Sequence, residues 1–395
     1  MSDLKIIGRS EELFLEDLKE FDEEFRSMLS GSRILVVGAG GTIGQAVCKE
    51  IFERSALSLH AVDISENSLV ELVRDIRSSQ GYVTSDFKTF ALDVGSREFE
   101  LMFESEGPYD YVFNLSAMKH VRSERDLFTL LRLVRVNILN TIKLAELCEK
   151  SNVKKYFCVS TDKAANPVNM MGCSKKIMEL FLRDKSRSLP VSMARFANVA
   201  FSDGSLLHGF NQRYLKKQPI SAPRDVRRYF VTKKESGLLC LFSALKGDNR
   251  EIFFPKLTSE LHLTNFSDIA ERFILHHGYE PYHCVSEEHA RNEAAVLMEK
   301  RRWPCYFFNS DTTGEKPHEE FFVGSEKLDF HRFKEIGVIE NTGFDDPKTL
   351  NLFLNEVNNA LVDKSYKKEN LVQLFRELVP EFDHSETGKH LDEKM

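Results

Sequence analysis

The sequence has few of the features that would place it outside the cell or in a membrane. Its seven cysteines are scattered and include no Cys-x-x-Cys pair, so they indicate neither a disulfide framework nor a zinc site. No run approaches the roughly 18 apolar residues of a membrane-spanning helix, and the start lacks the basic and apolar regions of a signal peptide. A net charge of -7 gives no general attraction to nucleic acid or to an anionic membrane. We therefore expect a cytoplasmic, reduced, soluble protein with no nucleic-acid partner, no membrane span and no metal.

A glycine-rich turn near residue 40 predicts a dinucleotide site. An apolar strand at residues 33–37 precedes the turn and a helix follows it. Such a turn brings the backbone N–H groups of the helix start close to a pyrophosphate. A second strand, at residues 57–62, ends in Asp63, where a carboxylate would bond the adenosine ribose. We expect NAD as the cofactor, with NADP as the open alternative, and the turn supplies Gly38, Gly40, Gly41, Thr42, Ile43 and Gly44.

Strands alternate with helices along the first half of the chain, which is typical of a parallel, doubly wound sheet. The chain of 395 residues is also too long for one minimal core. We predict an α/β, Rossmann-type fold with a smaller C-terminal lobe and extra terminal helices. The predicted parts are an N-terminal helical extension at 1–30, an NAD(P)-binding domain at 31–200, a substrate lobe at 201–345 that is interleaved with the last strands of the sheet, and a C-terminal helical extension and tail at 346–395.

Polar residues after other strands extend the predicted cofactor site, because the carboxyl ends of parallel strands share one crevice. Asp93 and Val94 follow the third strand, at a position suited to the adenine edge. Asn137 lies inside a helix predicted at residues 127–150. The remaining predicted cofactor contacts follow the fourth strand and are Ser116, Ala117 and Lys119.

The fifth predicted strand, at residues 156–160, ends at the stretch Thr161-Asp162-Lys163. An adjacent carboxylate and amine above a bound dinucleotide are suited to acid–base chemistry. The structural alternative is an ion pair that caps a turn. A helix predicted at residues 172–182 follows, and its Lys175 lies one turn beyond Met171. We predict that these residues form the catalytic centre.

The order of these motifs resembles the extended short-chain dehydrogenase/reductases that modify nucleotide sugars. Within them it is similar to the UDP-N-acetylglucosamine 4,6-dehydratases of polysaccharide biosynthesis. The resemblance covers residues 33–325. Its motifs are the spacing of Gly38, Gly41 and Gly44, Ala117-Met118-Lys119-His120-Val121, Ser160-Thr161-Asp162-Lys163-Ala164 with Asn166-Pro167, Arg195-Phe196-x-Asn198-Val199, Arg228-Tyr229-Phe230-Val231-Thr232, and Gly314-Glu315-Lys316 with Glu319-Glu320.

The resemblance implies a reaction in three parts. A hydride leaves sugar carbon 4, water is eliminated across carbons 5 and 6, and the hydride returns to carbon 6. In this family the lysine at Lys163 takes the carbon 5 proton and the carboxyl at Asp162 protonates the departing hydroxyl. Thr161 would bond the carbon 4 oxygen, and Lys175 would hold the nicotinamide ribose. For the UDP-sugar substrate, the resemblance implies contacts from Asn198, Arg228 and Glu320.

One position departs from the pattern of the superfamily. Met171 stands where a catalytic tyrosine is usual, and a thioether cannot ionise. Some members of this dehydratase branch also have methionine there. The group that takes the proton of the sugar 4-hydroxyl therefore stays open, with Lys119 and His120 as candidates that would also face the substrate.

Two other functions stay open. A nucleotide-sugar 4-epimerase or reductase is the first, and the absence of the tyrosine argues against it. A catalytically inactive cofactor-binding protein is the second, and the intact Asp162-Lys163 pair argues against that. We expect a homo-oligomer that pairs through helices beside the central stretch. An acidic amphipathic helix predicted at residues 10–29 would pack on its own domain or on another subunit.

Overall fold

The computed structural model describes residues 3–84, 86–258, 261–311, 316, 318–340, 346–363 and 365–385. Short apolar runs form its strands, because both faces of a parallel sheet are buried. The strands are β1 (Arg33–Val37), β2 (Ser58–Asp63), β3 (Asp86–Ala91), β4 (Tyr111–Asn114), β5 (Lys155–Thr161), β6 (Val191–Phe196), β7 (Asn198–Val199), β8 (Ile220–Pro223), β9 (Arg227–Arg228), β10 (Phe230–Val231), β11 (Ile252–Pro255), β12 (Thr264–Asn265), β13 (Glu280–His283), β14 (Arg302–Phe308), β15 (Leu328–Asp329) and β16 (Ile336–Ile339).

The helices of the described residues separate these strands and flank the chain at both ends. They are α1 (Asp3–Ile6), α2 (Leu15–Ser30), α3 (Thr42–Glu53), α4 (Glu66–Gln80), α5 (Arg97–Glu106), α6 (Leu127–Val134), α7 (Asn140–Lys150), α8 (Met170–Lys185), α9 (Leu206–Leu215), α10 (Lys233–Lys246), α11 (Phe266–His276), α12 (Glu287–Glu299), α13 (Pro347–Ala360) and α14 (Lys368–Leu378).

The main sheet has the order β15-β16-β11-β6-β5-β4-β1-β2-β3 in the described part of the chain. Strands β1 to β6 and β11 run parallel, whereas β15 and β16 are antiparallel additions at one edge. The order reverses between β1 and β4, and the carboxyl ends of strands at such a point open a crevice. The predicted Rossmann-type α/β class is confirmed, and the antiparallel edge was not predicted.

A smaller lobe is built on a parallel three-stranded sheet with the order β13-β14-β8. Helices α9, α11 and α12 pack beside it, and its apolar core includes Trp303 and Phe273. The chain leaves this lobe twice to complete the main sheet, through α10 with β11 and then through β15 with β16. Segments that connect the lobe to the main sheet reach the carboxyl ends of its strands, where the backbone N–H of Asp203 donates to the Thr42 hydroxyl at 3.0 Å and Glu319 lies 3.9 Å from Lys163.

The acidic N-terminal helix packs on its own domain. It begins at Leu15 as α2, five residues later than predicted. Its Phe25 ring lies 4.9 Å from the ring of Phe242 in α10, and Phe21 contacts both Phe242 and Phe333. The sequence left open whether this helix packs on its own domain or on another subunit, and the structure shows it packed on its own domain.

The C-terminal helices α13 and α14 cover α8. Phe353 of α13 lies 6.1 Å from Phe181 of α8, and Phe375 of α14 stacks against Phe353 at 5.7 Å. Residues 170–183 of α8 are buried along their whole length. We expected copies of the chain to pair through helices beside the central stretch. That face of α8 is covered within the chain, and the pairing of two copies stays a prediction.

A buried ion network connects β5, β6 and α8 to the segment at residues 321–326. The guanidinium of Arg195 in β6 bonds both carboxylate oxygens of Glu179 in α8, at 3.0 and 2.8 Å. It also bonds the carboxylate of Glu326 and the carbonyl oxygen of Phe321. Ser160 in β5 donates to Glu179 at 2.6 Å. This network fixes the end of β5 against the segment that runs from residue 318 to residue 326.

None of the helices in the described part of the chain combines the length and the apolar character needed to cross a bilayer.

Candidate active site

The glycine turn lies at the crevice between β1 and β4. A Cβ atom on Gly44 would lie 2.1 Å from the carbonyl oxygen of Gly38, so the helix start requires glycine there for close packing. A Cβ atom on Gly41 would meet only that same oxygen, at an ordinary 3.5 Å. Protein packing therefore does not require glycine at residue 41, and its bare backbone leaves room for a ligand at the start of α3.

We expect Gly41→Ala and Gly44→Ala to have different consequences. Gly44→Ala should lower the free energy of unfolding, because its Cβ atom has no space. Gly41→Ala should leave the unfolding midpoint near the wild-type value and weaken dinucleotide binding about tenfold, which corresponds to about 1.4 kcal/mol. Thermal unfolding and calorimetric titration with NAD measure the two effects. Equal loss of stability in both variants would contradict this division of roles.

Asp63 ends β2 beside the glycine turn. Its carboxylate accepts the N–H groups of Gly40 and Ser65, each at 2.9 Å. The bond between Gly40 and Asp63 holds this carboxylate beside the N-terminus of α3, where Gly41 is the N-cap residue. The carboxylate and the helix N-terminus match the needs of a dinucleotide, which presents a pyrophosphate and a ribose diol at about this spacing. Thr42 and Ile43 form the first turn of the same helix.

The other predicted cofactor residues follow β3 and β4. Asp93 accepts the N–H of Gly95 at 2.8 Å and faces Arg132 at 3.2 Å. Burial alone would raise the pKa of Asp93, but these two partners outweigh it and lower the pKa. Val94 is buried, and Ser116 donates to Asn114 at 2.7 Å. Ala117 follows it on the same half-buried loop.

Asn137 holds this loop in place. The helix predicted at residues 127–150 is interrupted by a π turn at Arg135–Leu139, between α6 and α7. Asn137 is fully buried and bonds both backbone groups of Met118, at 2.8 and 3.0 Å. Its amide also donates to Ser174 in α8 at 2.9 Å. Its amide thus orients the loop, and its predicted contact with the cofactor stays a prediction.

Thr161, Asp162 and Lys163 are brought together where β5 ends. One carboxylate oxygen of Asp162, Oδ1, accepts the Thr161 hydroxyl at 2.8 Å and the Lys163 backbone N–H at 2.9 Å. The same oxygen accepts the Lys163 amine, with Nζ at 3.1 Å. The Lys163 side chain is 16% exposed, whereas the Asp162 side chain is 4% exposed. The lysine is therefore the member of this group that is turned toward the crevice.

Glu319 completes this charged group, and the sequence did not single it out. Its side chain is 3% exposed, and its Oε1 lies 3.9 Å from Lys163 Nζ and 3.8 Å from Arg228. The sequence analysis favoured Glu320, which is exposed and accepts the amide of Asn166 at 2.8 Å. Two adjacent acids point in opposite directions along an extended segment, and only the fold shows which one faces inward. The preceding motif residues 314–315 lie outside the described residues.

Arg228 is buried and anchors this segment. Its guanidinium donates to the carbonyl oxygens of Arg227 at 2.8 Å and Lys316 at 2.9 Å. Lys316 in turn donates to the carbonyl oxygen of Asn166, in the loop after Lys163. Arg228 therefore helps to hold the segment of Lys316 beside the site. Its contact with the UDP-sugar stays a prediction.

Lys175 and Met171 are both buried. The Lys175 amine is buried and donates to the carbonyl oxygen of Val159 at 3.0 Å, because α8 turns this side chain onto β5. Burial lowers the pKa of Lys175. The structure shows this amine on β5, and its contact with the nicotinamide ribose stays a prediction. Met171 is buried in the apolar cluster that α6, α8 and the C-terminal helices share.

Lys119, His120 and Asn198 surround the crevice on the side of the smaller lobe. His120 packs against Gly204, where an added Cβ atom would lie 2.8 Å from the imidazole ring. Burial lowers the pKa of His120, which favours its neutral imidazole, and it also lowers the pKa of Lys119. Neutral amine and imidazole groups can accept a proton. The backbone N–H of Asn198 bonds the carbonyl oxygen of Tyr229 at 3.0 Å, which fixes that residue at the start of β7.

Comparison with protein families gives one match that covers most of the chain. Residues 34–341 match the model of the family described as polysaccharide biosynthesis protein. An uncharacterised membrane protein of Methanocaldococcus jannaschii, MJ1061, is 25% identical over 89% of this chain and 98% of its own length. The capsular polysaccharide biosynthesis protein CapD of Staphylococcus aureus is 31% identical over 62% of this chain, and the chain spans only 41% of its length.

Two further relatives carry the names of specific enzymes. An inverting UDP-N-acetylglucosamine 4,6-dehydratase of Campylobacter jejuni is 26% identical over 61% of this chain and 71% of its own length. A UDP-glucose 4-epimerase of Rickettsia massiliae is 25% identical over 87% of this chain and 99% of its own.

Solved structures share the fold. Pen from Bacillus thuringiensis superposes with a TM-score of 0.64 at 19% identity, over 82% of this chain and 98% of its own. The dTDP-glucose 4,6-dehydratase DesIV of Streptomyces venezuelae superposes with a TM-score of 0.56 at 14% identity, over 74% of this chain and 88% of its own. At these identities the likeness supports the fold.

Proposed function

The chain belongs to the polysaccharide biosynthesis protein family, within the extended short-chain dehydrogenase/reductases that modify nucleotide sugars, and from this premise we propose that it is an NAD-dependent nucleotide-sugar 4,6-dehydratase. The proposed substrate is UDP-N-acetylglucosamine or a similar UDP-N-acetylhexosamine. The observation that carries the proposal is the acid–base group of Asp162 and Lys163 at the end of β5. The named dehydratase of Campylobacter jejuni supports the same reaction.

The cofactor residues of this proposal are those of the glycine turn together with Asp63. Bound NAD supplies a hydride acceptor for sugar carbon 4 and a hydride donor for carbon 6. The N–H groups at the start of α3 hold the pyrophosphate, since a helix N-terminus favours an anion. The Asp63 carboxylate accepts the ribose hydroxyls and disfavours a 2′-phosphate.

Asp63 is expected to set the choice between NAD and NADP. Asp63→Ser removes a carboxylate partner of the ribose hydroxyls, and hydrogen bonds to charged groups contribute about 1.5–3 kcal/mol. NAD affinity should therefore fall roughly 10- to 100-fold, while NADP affinity stays level or rises. Calorimetric titration of both dinucleotides into wild type and variant measures this. Asp75→Ser, which removes a partly exposed carboxylate of α4 that pairs with Lys49, is the control, and a loss of NAD affinity there of the same size would contradict the assignment.

The remaining steps use the side chains at the end of β5. Lys163 takes the carbon 5 proton once carbon 4 is a ketone, because the ketone acidifies that proton. Thr161 bonds the Asp162 carboxyl, which in turn holds the lysine, and Asp162 gives a proton to the carbon 6 hydroxyl, which leaves as water. Met171 contributes no proton transfer, so Lys119 or His120, or water held by them, receives the proton of the 4-hydroxyl.

A nucleotide-sugar 4-epimerase is the second candidate, because a relative with that name matches 87% of this chain. The two functions differ in the product. A dehydratase converts UDP-N-acetylglucosamine into a 4-keto-6-deoxy sugar, which develops near-ultraviolet absorbance in alkali, whereas an epimerase returns a sugar of unchanged mass. Incubation with a panel of UDP-hexoses and UDP-N-acetylhexosamines, followed by alkali and mass analysis, tests the proposal. Inversion of carbon 4 without loss of water would replace it with the epimerase.

A further inference from the structure

The loop at residues 164–169 connects Lys163 to the start of α8. The two ends of the loop meet, because a Cβ atom on Gly172 would lie 2.5 Å from the carbonyl oxygen of Lys163. Glycine thus lets the first turn of α8 pack directly on the backbone of the lysine. Asn169 caps this turn by accepting the N–H of Gly172 at 2.8 Å. The shape of the loop therefore determines where the backbone of Lys163 lies.

A segment near the C-terminal end of the described chain, at residues 381–384, contacts the middle of this loop, and we call it the C-terminal strap. The backbone N–H of Asp383 donates to the carbonyl oxygen of Pro167 at 3.2 Å. The buried ring of His384 lies with its Nδ1 atom 3.2 Å from the carbonyl oxygen of Val168. A carbonyl oxygen can only accept, so Nδ1 carries the proton in this contact. The strap therefore holds two successive peptide groups of the loop.

The rest of the C-terminal strap is fixed on α8. The carboxylate of Glu381 lies 3.9 Å from the amine of Lys176. Phe382 is buried in the apolar cluster that contains Met171, at the start of the helix. Its ring stacks on the ring of His384, with the two centroids 5.4 Å apart. The stack orients the imidazole, so its Nδ1–H is directed at the loop.

The loop is held from its other side by the segment that connects the smaller lobe to the main sheet. Lys316 donates to the carbonyl oxygen of Asn166, and the Asn166 amide donates to Glu320 at 2.8 Å. The C-terminal strap lies beyond residues 34–341, which match the family model. One side of the loop is thus supported from within the matched region, and the other side by the C-terminal extension of this chain.

We propose that the C-terminal strap positions the Asp162-Lys163 pair for the elimination, with His384 as the positioning residue, a role that rests on the dehydratase function proposed above. His384 acts through Val168 and transfers no proton in the reaction. Elimination needs the amine and the carboxyl directed at carbons 5 and 6 at once, and a misplacement of about 1 Å can lower a rate about 100-fold. Oxidation at carbon 4 depends on NAD at the glycine turn, so the strap affects it less.

The test uses two substitutions that separate the ring of His384 from its hydrogen bond. His384→Phe keeps a ring to stack on Phe382 and removes the donor to Val168. It is expected to slow elimination about tenfold and oxidation at carbon 4 less than about twofold. His384→Asn keeps an N–H donor near the position of Nδ1, so its elimination rate should stay within about twofold of wild type. Single-turnover measurements with UDP-N-acetylglucosamine give the two rates, from reduced nicotinamide absorbance and from loss of water.

Two results would overturn the role of His384. A merely structural residue would lower the unfolding midpoint in His384→Phe and leave the ratio of the two rates unchanged. An equal loss of elimination in His384→Phe and His384→Asn would show that the donor to Val168 is not what matters. His283→Phe is the matched control, because His283 is an exposed histidine of the smaller lobe that bonds Glu271 at 2.8 Å. Its two rates should equal those of wild type.

Hydrogen exchange with NAD bound tests the C-terminal strap without any use of activity. The amides of residues 164–169 should exchange at least about fivefold faster in His384→Phe than in wild type, while those of the glycine turn stay unchanged. Unchanged exchange in the loop would overturn the strap, whatever the activity of the variant. A wild type that binds NAD but dehydrates no nucleotide sugar would overturn the proposed function and the catalytic role of the strap. Faster loop exchange in that case would still support the contact between strap and loop.

Discussion

Replacement of Lys163 by methionine is expected to lower the rate of dehydration about 10³-fold, within the range that proton transfer by a positioned side chain contributes. Methionine preserves the length and most of the volume of the side chain but cannot take the carbon 5 proton. The amine has no contact in the main apolar core and is partly exposed, so the fold should be kept. NAD affinity should also stay close to the wild-type value, because the glycine turn lies on another strand.

Single-turnover measurements separate the chemical steps in this variant. Oxidation at carbon 4, observed as reduced nicotinamide absorbance, should still occur, and elimination should fail. Lys154→Met is the control, since that lysine is 65% exposed and pairs with Asp110 far from the crevice. A Lys163→Met protein that eliminates water at more than a tenth of the wild-type rate would remove Lys163 from the role of base.

Loss of Arg195 is expected to cause the largest change in stability. The side chain is fully buried and neutralises the carboxylates of Glu179 and Glu326. Breaking a buried ion pair by removing one partner costs about 3–5 kcal/mol, because a charge remains buried without compensation. Arg195→Met should therefore lower the free energy of unfolding by that amount in urea. Arg97→Met, which removes an exposed pair with Glu100, should cost less than about 1 kcal/mol.

The same network predicts how stability depends on acid. Burial alone would raise the pKa of Glu179, but the Arg195 guanidinium outweighs it and lowers the pKa from 4.5 to about 2. At pH values between about 2 and 4.5, Glu179 is therefore protonated to a greater extent in the unfolded chain than in the folded one. The contribution of Glu179 is therefore present above about pH 4.5 and is lost as the pH falls toward 2. Glu179→Gln should flatten this part of the stability profile, and an unchanged acid slope in that variant would contradict the link.

The sequence was sufficient for the sheet and for the position of the crevice. Apolar strands such as β1 and β5, with polar residues directly after them, predict both a parallel sheet and the edge at which its chemistry lies. The glycine spacing and Asp63 likewise predict where the cofactor binds, because each belongs to a local sequence pattern. The family match to residues 34–341 agrees with this reading.

The features that sequence reasoning missed depend on contacts between distant parts of the chain. Glu319 and Glu320 lie about 150 residues after Lys163 in the chain. Arg195 and Arg228 hold their segment in place, and this decides which of the two acids faces Lys163. Lys175 lies at the predicted helical position, but the close packing of α8 on β5 turns its amine to Val159.

Long-range packing also explains the differences at the C-terminal end of the chain. The antiparallel strand β16 is short, and its pairing with β11 is not encoded in its own residues. Helices α13 and α14 were predicted as an extension, but not their position on α8. That position buries one face of α8 within the chain.

The most direct test of the central claim is the product formed from UDP-N-acetylglucosamine in heavy water, measured by mass and by proton NMR. The proposed function predicts the loss of one water molecule and one deuterium at carbon 5, because the proton taken by Lys163 exchanges with solvent before it could return. Lys163→Met should give neither change. A product of unchanged mass, with hydrogen retained at carbon 5 and carbon 4 inverted, would contradict the dehydratase and identify an epimerase.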